Sequence, residues 1–242
     1  MIAIETKNLE KKYGNKTAVD KINLSINEGE LFSLLGVNGA GKTTTIKMLS
    51  CLSKPTSGSA TILGHSILKE PYKIKEVMNV SPQETAIAPN LSVRENLEFI
   101  AGIYGIEKSS IKSKVDKIIK DFKFDNIEHD KSDTLSGGWK RKLSIAMALI
   151  TEPKILFLDE PTLGLDVLAR RELWHMIESL KEKVTIILTT HYMEEAEELS
   201  DRVAIMKDGK IIDIDTPKKL VKKMNAKNFE EAFVKIVERE DK

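Results

Sequence analysis

Short stretches of alternating hydrophobic and polar residues dominate the N-terminal part of the chain. The alternation covers residues 2–7 and 22–26, and residues 31–35 form a mostly hydrophobic run. A period of two is typical of a strand with one buried face, and a short hydrophobic run is typical of a fully buried strand. The pattern therefore predicts three strands before residue 36.

A glycine-rich turn separates these strands from a predicted helix. The helical pattern of residues 43–52 ends before Pro55, because the residue that precedes a proline avoids helical backbone angles. Residues 59–63 and 77–80 are again rich in hydrophobic positions at strand spacing. They predict two further strands.

The spacing of the hydrophobic residues becomes helical after residue 91. Ser92 and Glu95 form the S-x-x-E capping box that begins a helix. Three hydrophobic stripes then follow helical spacing: Val93, Leu97, Ile100 and Tyr104; Ile111, Val115, Ile118, Ile119 and Phe122; and Leu143, Met147 and Ile150. Residues 91–150 are therefore predicted to be an all-helical insert.

Strands and helices alternate in the C-terminal part of the chain. Residues 155–158 and 184–188 predict buried strands, with one helix between them and another after His191. The turn dipeptide at residues 208–209 predicts a strand pair. Such alternation predicts a largely parallel sheet. The glutamate-rich residues 194–198 are expected to be a solvated helix face.

The last predicted helix has one continuous hydrophobic face. Its members are Phe229, Ala232, Phe233, Ile236 and Val237. This face needs a partner surface, either on the same domain or on another protein.

Composition excludes several classes of protein. The 242 residues include 38 Lys+Arg and 37 Asp+Glu, a net charge of +1, which argues against a protein that binds nucleic acid through a coat of positive charge. We find no hydrophobic run of about 18 residues and no signal-peptide pattern, so we expect no membrane span. The single cysteine, Cys51, excludes an internal disulfide and fits a reducing cytosol.

Residues 36–44 contain the pattern G-x-x-x-x-G-K-T between a predicted strand and a predicted helix, which is a P-loop. Glycines at 36, 39 and 41 are expected to take left-handed conformations, so that backbone N–H groups approach phosphate oxygens at a helix N-terminus. Lys42 is expected to reach the β- and γ-phosphates, and the Thr43 hydroxyl to hold Mg²⁺. The predicted nucleotide-binding residues of this loop are Gly36, Asn38, Gly39, Ala40, Gly41, Lys42, Thr43 and Thr44.

Two acidic residues follow the predicted strand at residues 155–158. Asp159 lies at the C-terminal end of this strand, where ligands of parallel sheets bind, and is expected to orient Mg²⁺ through its water shell. Glu160 comes next and suits a general base that polarises the attacking water. The alternative for Glu160 is a solvated loop carboxylate, which we would prefer if this strand did not neighbour the P-loop strand.

The sequence Leu-Ser-Gly-Gly-Trp at residues 135–139, together with the motifs above, resembles the ATP-binding cassette (ABC) ATPases over residues 3–220. This resemblance implies that Tyr13 stacks on adenine, that Gln83 is the Q-loop glutamine that contacts Mg²⁺, and that His191 is the switch histidine beside the γ-phosphate. It also implies a signature motif at Ser136, Gly137 and Gly138 and a D-loop at Gly164, Leu165 and Asp166. The implied catalytic residues are Glu160, His191, Gln83 and Lys42.

The resemblance also implies an architecture. The expected fold is α/β, a P-loop NTPase core with a mainly parallel sheet, an N-terminal antiparallel β-subdomain and an inserted α-helical subdomain at about residues 91–150. The ATPase domain would span residues 1–224, and residues 225–242 would form a short helical extension.

In this family two ATPase subunits stack head to tail, so that the signature of one closes over the nucleotide on the P-loop of the other. The implied cofactors are ATP and Mg²⁺. The implied partners are a second ATPase subunit, in a homodimer or a heterodimer, and a separate multi-span membrane permease that docks near residues 91–104. No nucleic acid is expected, and the chain would be cytoplasmic and peripheral on the inner face of the membrane.

Finer similarity favours the drug, antibiotic and ion exporter branch of the family. It lies in residues 39–45, 91–97, 191–197, 201–206 and 228–233. The predicted function is therefore ATP hydrolysis that powers export of an unidentified substrate. The alternatives are an importer ATPase, an ATPase of a soluble machine for iron–sulfur assembly, translation or DNA repair, and a nucleotide-binding regulator that hardly hydrolyses.

Trp139 departs from the family, which has glutamine or another polar residue at this position. We hypothesise that Trp139 alters nucleotide affinity or dimer stability.

Overall fold

Two β-sheets make up the centre of the computed structural model, which describes residues 1–239. The strands are β1 (Ile2–Tyr13), β2 (Lys16–Ile22), β3 (Ser25–Asn27), β4 (Leu31–Leu35), β5 (Ser57–Ile62), β6 (His65–Ser66), β7 (Met78–Ser81), β8 (Ile155–Asp159), β9 (Thr185–Thr190), β10 (Arg202–Lys207) and β11 (Lys210–Asp215). The helices are α1 (Lys42–Leu49), α2 (Pro71–Val77), α3 (Val93–Ile103), α4 (Lys108–Asp121), α5 (Gly137–Leu149), α6 (Val167–Glu178), α7 (Met193–Leu199), α8 (Pro217–Lys223) and α9 (Phe229–Arg239).

The first sheet is antiparallel and comes from the N-terminal part of the chain. Its strands lie in the order β2-β1-β5-β6, and β3 also pairs with β1. The prediction of one strand over residues 22–26 is wrong, because residues 23 and 24 lie outside strand structure and separate β2 from β3. At this interruption the Thr6 hydroxyl donates a hydrogen bond to the Ile22 carbonyl at 3.0 Å and accepts one from the Leu24 N–H at 2.8 Å.

The second sheet has the order β11-β10-β4-β9-β8-β7, and all neighbours except β10 and β11 run parallel. Strands β4, β8 and β9 are buried along their whole length. The expected α/β fold, with an antiparallel N-terminal sheet and a mainly parallel second sheet, is confirmed. The carboxyl ends of β4, β8 and β9 meet at one edge, and the candidate site lies at this edge.

Helices α3, α4 and α5 confirm the helical pattern predicted within residues 91–150. The Ser92 side chain accepts from the Glu95 N–H, and the Glu95 carboxylate accepts from the Ser92 N–H, so the capping box is present. The hydrophobic faces of the three helices form one buried cluster with strands β8 and β9. Helix α2 lies outside the predicted elements.

The hydrophobic face of α9 packs on the domain itself. Phe229 and Ile236 are buried in a cluster with Leu35, Val203 and Leu220. This settles the choice that the sequence left open between the domain and another protein. Residues 240–242 of the expected extension lie outside the described residues, and the division at residue 224 stays a prediction. Within residues 1–239, no helix has the length and hydrophobicity needed to cross a bilayer.

Candidate functional site

A cavity of about 520 Å³ lies where the antiparallel sheet faces the carboxyl edge of the parallel sheet. It is lined by most of the residues that the sequence singled out: Tyr13, Asn38, Gly39, Ala40, Gly41, Lys42, Thr43, Thr44, Gln83, Glu160 and His191. These residues come from β1, the β4–α1 loop and the start of α1, the segment after β7, and the positions that directly follow β8 and β9. The topology therefore brings widely separated motifs to one cavity.

The loop between β4 and α1 forms a backbone cradle at the floor of the cavity. Gly39 and Gly41 have φ angles of 86° and 105°, as expected for left-handed residues. The prediction for Gly36 is wrong, because its φ is not positive. Glycine is needed there for a different reason, since a Cβ atom would lie 2.4 Å from the Met206 carbonyl oxygen.

Lys42 places a positive charge inside this cradle, with only 5% of the residue exposed. Its Nζ donates to the Gly36 carbonyl at 2.7 Å and lies 3.2 Å from Oε1 of Glu160. Helix α1 begins at Lys42, and the N-terminus of a helix attracts anions through its free N–H groups and its dipole. The cradle therefore suits a phosphate group.

A hydroxyl group and a carboxylate meet beside the cradle. Thr43 Oγ1 donates to Asp159 Oδ1 at 3.1 Å, and Thr189 Oγ1 donates to the same oxygen at 2.5 Å. Mg²⁺ is commonly held by one or two carboxylates together with substrate phosphates and water. Among residues 1–239 no three His, Cys, Asp or Glu side chains cluster as a self-sufficient metal site. Thr43 and Asp159 supply a hydroxyl and a carboxylate oxygen, which are ligand types that suit Mg²⁺.

Glu160 is buried at the edge of the cavity, with 7% exposure, so the alternative of a solvated loop carboxylate is wrong. Its Oε2 lies 2.6 Å from Nδ1 of His191. By the criterion stated above the solvated alternative would have been preferred, because β9 lies between β8 and the P-loop strand β4, so the criterion was wrong. One intervening strand still leaves Glu160 within reach of Lys42.

The backbone of Glu160 is strained. Its φ angle is 48°, in the left-handed region that a residue with a side chain seldom adopts. Its N–H donates to the carbonyl and to Oγ1 of Thr189, at 3.1 and 3.0 Å. Strain of about 1–3 kcal/mol persists only where the surrounding structure holds it, and such residues are common at functional sites.

The signature and D-loop residues lie outside this cavity. Ser136 caps the N-terminus of α5, and Asp166 caps that of α6 by accepting from the N–H groups of Leu168 and Ala169. A Cβ atom at Gly137 would lie 3.7 Å from Cδ2 of Leu165, so the two motifs share one surface. This surface, which we call the signature surface, also includes Gly138 and exposes Val167 and Leu168, which directly follow the D-loop residues.

Trp139 packs within its own domain. Its ring centroid lies 5.9 Å from that of Phe124, and Nζ of Lys142 lies 4.4 Å from its centroid. The ring is half-buried against the cluster formed by α3, α4 and α5. Any effect of Trp139 on a dimer is therefore combined with an effect on the packing of these helices.

Replacing Trp139 with glutamine is expected to destabilise the chain by about 1–3 kcal/mol, because the aromatic contact with Phe124 is lost. Chemical denaturation measures this loss. ATP turnover of the same variant tests the hypothesis that Trp139 alters nucleotide affinity or dimer stability. Turnover equal to that of the wild type would contradict this hypothesis.

Several residues of the site had no signal in the sequence. Lys16, Ala18 and Leu163 line the cavity.

Glu195 belongs to the run that was expected to be solvated, yet it is 0% exposed and accepts a hydrogen bond from Nε1 of Trp174 at 3.0 Å. Burial raises the pKa of the Glu195 carboxyl. In the structure Glu195 lies on the buried side of helix α7, with Ala196 and Leu199, and this position alone distinguishes it from the neighbouring glutamates.

Comparison with known proteins agrees with this geometry. The family described as ABC transporter matches residues 19–163. The chain is 40% identical to the probable multidrug ABC transporter ATP-binding protein YbhF of Escherichia coli (strain K12), over 99% of this chain and 42% of that protein. It is 41% identical to the linearmycin resistance ATP-binding protein LnrL of Bacillus subtilis (strain 168), over 88% of this chain and 69% of that protein.

A solved structure shares the fold. It is the dimeric post-hydrolysis state of an ATP-binding cassette bound to ADP and Pi, which superposes with a TM-score of 0.78 at 27% identity, over 88% of this chain and 98% of that one. The chain spans less than half of the length of YbhF but most of the length of LnrL and of this cassette.

Proposed function

The chain belongs to the ABC transporter family, and on that premise we propose that it binds and hydrolyses ATP to power export through a separate membrane permease. One observation carries the proposal: a phosphate cradle, Thr43 with its hydrogen-bonded partner Asp159 behind it, and a carboxylate–histidine pair meet at one cavity. The names of YbhF and LnrL, which concern multidrug transport and linearmycin resistance, support the exporter branch.

Binding of ATP would use the cradle and the rim of the cavity. The N–H groups at the start of α1 and the Lys42 ammonium would bind the β- and γ-phosphates. Tyr13, which is half-exposed at the rim, would stack on adenine. Thr43 and Asp159 would hold Mg²⁺, which supplies charge neutralisation on the phosphates when it is bound.

Hydrolysis would depend on Glu160 as general base toward the attacking water. The 2.6 Å contact with Nδ1 of His191 orients the carboxylate, and the left-handed backbone aims it into the cavity. Gln83 lines the same cavity and would contact Mg²⁺ and sense the γ-phosphate. The residues of this chain would thus bind the nucleotide, position the water and accept its proton.

A dimer would use the signature surface. Ser136, Gly137 and Gly138 form the exposed N-terminus of α5, which is a second anion site that the chain does not direct at its own cavity. A second ATPase subunit stacked head to tail would bring this helix end, and Asp166 beside it, to the nucleotide of its partner. Exposed Leu168 beside these motifs supports burial by a partner. A homodimer and a heterodimer both fit.

Coupling to a permease would use the face around α2 and α3. Tyr72 is 81% exposed, and Leu52, Phe99, Ile103 and Tyr104 are also exposed on this face. A groove of about 420 Å³ beside it is lined by Pro82, next to Gln83, so a bound segment of the permease would lie close to the nucleotide cavity. We propose that the chain, bound to a permease in this way, is cytoplasmic and peripheral on the inner face of the membrane.

Phosphate release from Mg-ATP by the purified chain tests the proposal. We expect saturable release that stops when EDTA removes Mg²⁺, together with an ATP-dependent dimer in size-exclusion chromatography. A chain that releases no more phosphate than its Lys42→Ala variant would contradict the enzymatic part. Release without any ATP-dependent dimer would contradict the shared-site part.

A further inference from the structure

Arg141 lies one turn into helix α5 and is almost completely buried, with 4% exposure. All five of its N–H groups donate to backbone carbonyls, and an arginine has no further donors. Nε donates to Pro161 at 2.7 Å, the Nη2 group to Asp159 and Glu160 at 2.6 and 2.8 Å, and the Nη1 group to Pro82 and Gln83 at 2.5 and 3.1 Å.

The five carbonyls belong to only two segments of chain. One is residues 159–161, which comprise the last residue of β8 and the turn that follows it, and the other is residues 82–83 after β7. Both segments carry residues of the candidate site, which are Glu160 and Gln83. A single planar guanidinium therefore joins the two turns to each other and to the helix whose N-terminus carries the signature motif.

The charge of Arg141 is stabilised without a direct carboxylate partner. Burial lowers the pKa of its guanidinium to about 10, while the charges of Asp159, Glu195 and Glu160 oppose this shift. The group therefore stays protonated at neutral pH. A buried cation in such a position needs every hydrogen bond that it makes, because unpaired buried charge is costly.

Glu160 is the residue whose conformation most needs this support. Its φ angle of 48° is strained, Thr189 holds its N–H, and Arg141 holds its carbonyl and those of its two neighbours. We propose that Arg141 is a positioning residue for hydrolysis, which holds Glu160 in its left-handed conformation by clamping residues 159–161 to residues 82–83. The proposal rests on the proposed ATPase function of the same cavity.

Lysine cannot replace this clamp. Its ammonium keeps the charge but has three donors on a single atom, so it cannot span five carbonyls in two turns. Misplacement of a reacting group by about 1 Å can cost about a hundredfold in rate. We therefore expect Arg141→Lys to lower kcat by about tenfold to a hundredfold, with KM for ATP nearly unchanged, because the phosphate cradle does not contact Arg141.

The experiment measures kcat and KM for Mg-ATP and thermal unfolding for the full chain and its variants. Arg141→Lys is combined with Glu160→Gln in a double variant, and single-turnover assays follow the slow rates. If Arg141 acts through Glu160, adding Arg141→Lys to Glu160→Gln causes little further loss. Arg141→Met, which removes the buried charge, provides a second variant if the lysine variant does not fold.

Arg202→Lys is the matched control. Arg202 also makes several hydrogen bonds, to the Glu30 carboxylate and the Ser25 carbonyl, but none to a segment of the site. We expect its substitution to lower stability while kcat is retained.

Four results would overturn the inference: wild-type kcat in Arg141→Lys, an equal loss of kcat in Arg202→Lys, a fully additive loss in the Glu160→Gln background, or failure of both Arg141 variants to fold. The last would assign Arg141 to the stability of the whole chain. A wild type that does not hydrolyse ATP would instead contradict the proposed function.

Discussion

Glu160→Gln is expected to lower kcat for ATP hydrolysis by about 10²–10⁴-fold, which is the usual contribution of a positioned general base. Glutamine has nearly the same shape as glutamate, so the turn after β8 should keep its conformation. The amide cannot accept a proton from water at neutral pH. The variant therefore removes one chemical property and leaves the geometry of the cavity in place.

ATP binding should survive this substitution. Oε1 of Glu160 lies 3.2 Å from Nζ of Lys42, so the carboxylate competes with phosphate for the ammonium. Removing the negative charge leaves Lys42 free for the nucleotide, and we expect KM for ATP to be unchanged or lower. The combination of bound ATP and slow hydrolysis should also make the ATP-bound dimer persist in size-exclusion chromatography.

Glu152→Gln is a suitable control for this experiment. Glu152 also has a left-handed backbone, with a φ angle of 53°, but its side chain is 60% exposed and paired with Lys114. Its substitution makes the same change of charge far from the cavity and should leave kcat unchanged. Turnover by Glu160→Gln at the wild-type rate would exclude Glu160 as the base, and loss of ATP binding would show that it serves the nucleotide rather than the water.

The motifs that sequence could predict are local in the chain. The P-loop combines its backbone cradle, its lysine and the start of its helix within residues 36–44, so the spacing alone predicts the cradle. The pair at residues 159–160 was recognisable because it ends a buried strand. Even here the reason for Gly36 was missed, because the carbonyl that excludes a side chain belongs to the distant Met206.

The residues that hold Asp159 and Glu160 in place, Thr189 and Arg141, could not be predicted, because each contacts residues that are distant in sequence. Thr189 contacts Asp159 and Glu160 only because β9 lies beside β8 in the sheet. Arg141 reaches residues 82–83 and 159–161 only after α5 has packed beside β7 and β8. A threonine at the end of a strand and an arginine in a basic helix have many other uses. Sequence therefore shows the reacting groups better than the contacts that hold them.

For the C-terminal helix α9, too, the sequence predicts the helix but not the residues that it packs against. Its hydrophobic face was evident from spacing, but the surface that covers it was not. In the structure this surface is formed by β10, β11, α7 and α8. Helix α7 begins two residues after His191, so the helix is attached to the same part of the domain as the switch histidine. A separate extension at residues 225–242 would unfold before the rest of the domain, whereas an integral part of the domain would unfold with it in one transition.

Phe229→Ala is expected to lower the free energy of unfolding by about 3–5 kcal/mol, because it removes a fully buried aromatic ring and leaves a cavity beside Leu220 and Val203. If α9 unfolds together with the domain, this loss appears in the main transition of chemical denaturation. Val234→Ala, on the exposed side of the same helix, should change stability by less than about 0.5 kcal/mol. An unchanged main transition in Phe229→Ala would mean that α9 detaches before the domain unfolds, which would favour the predicted separate extension.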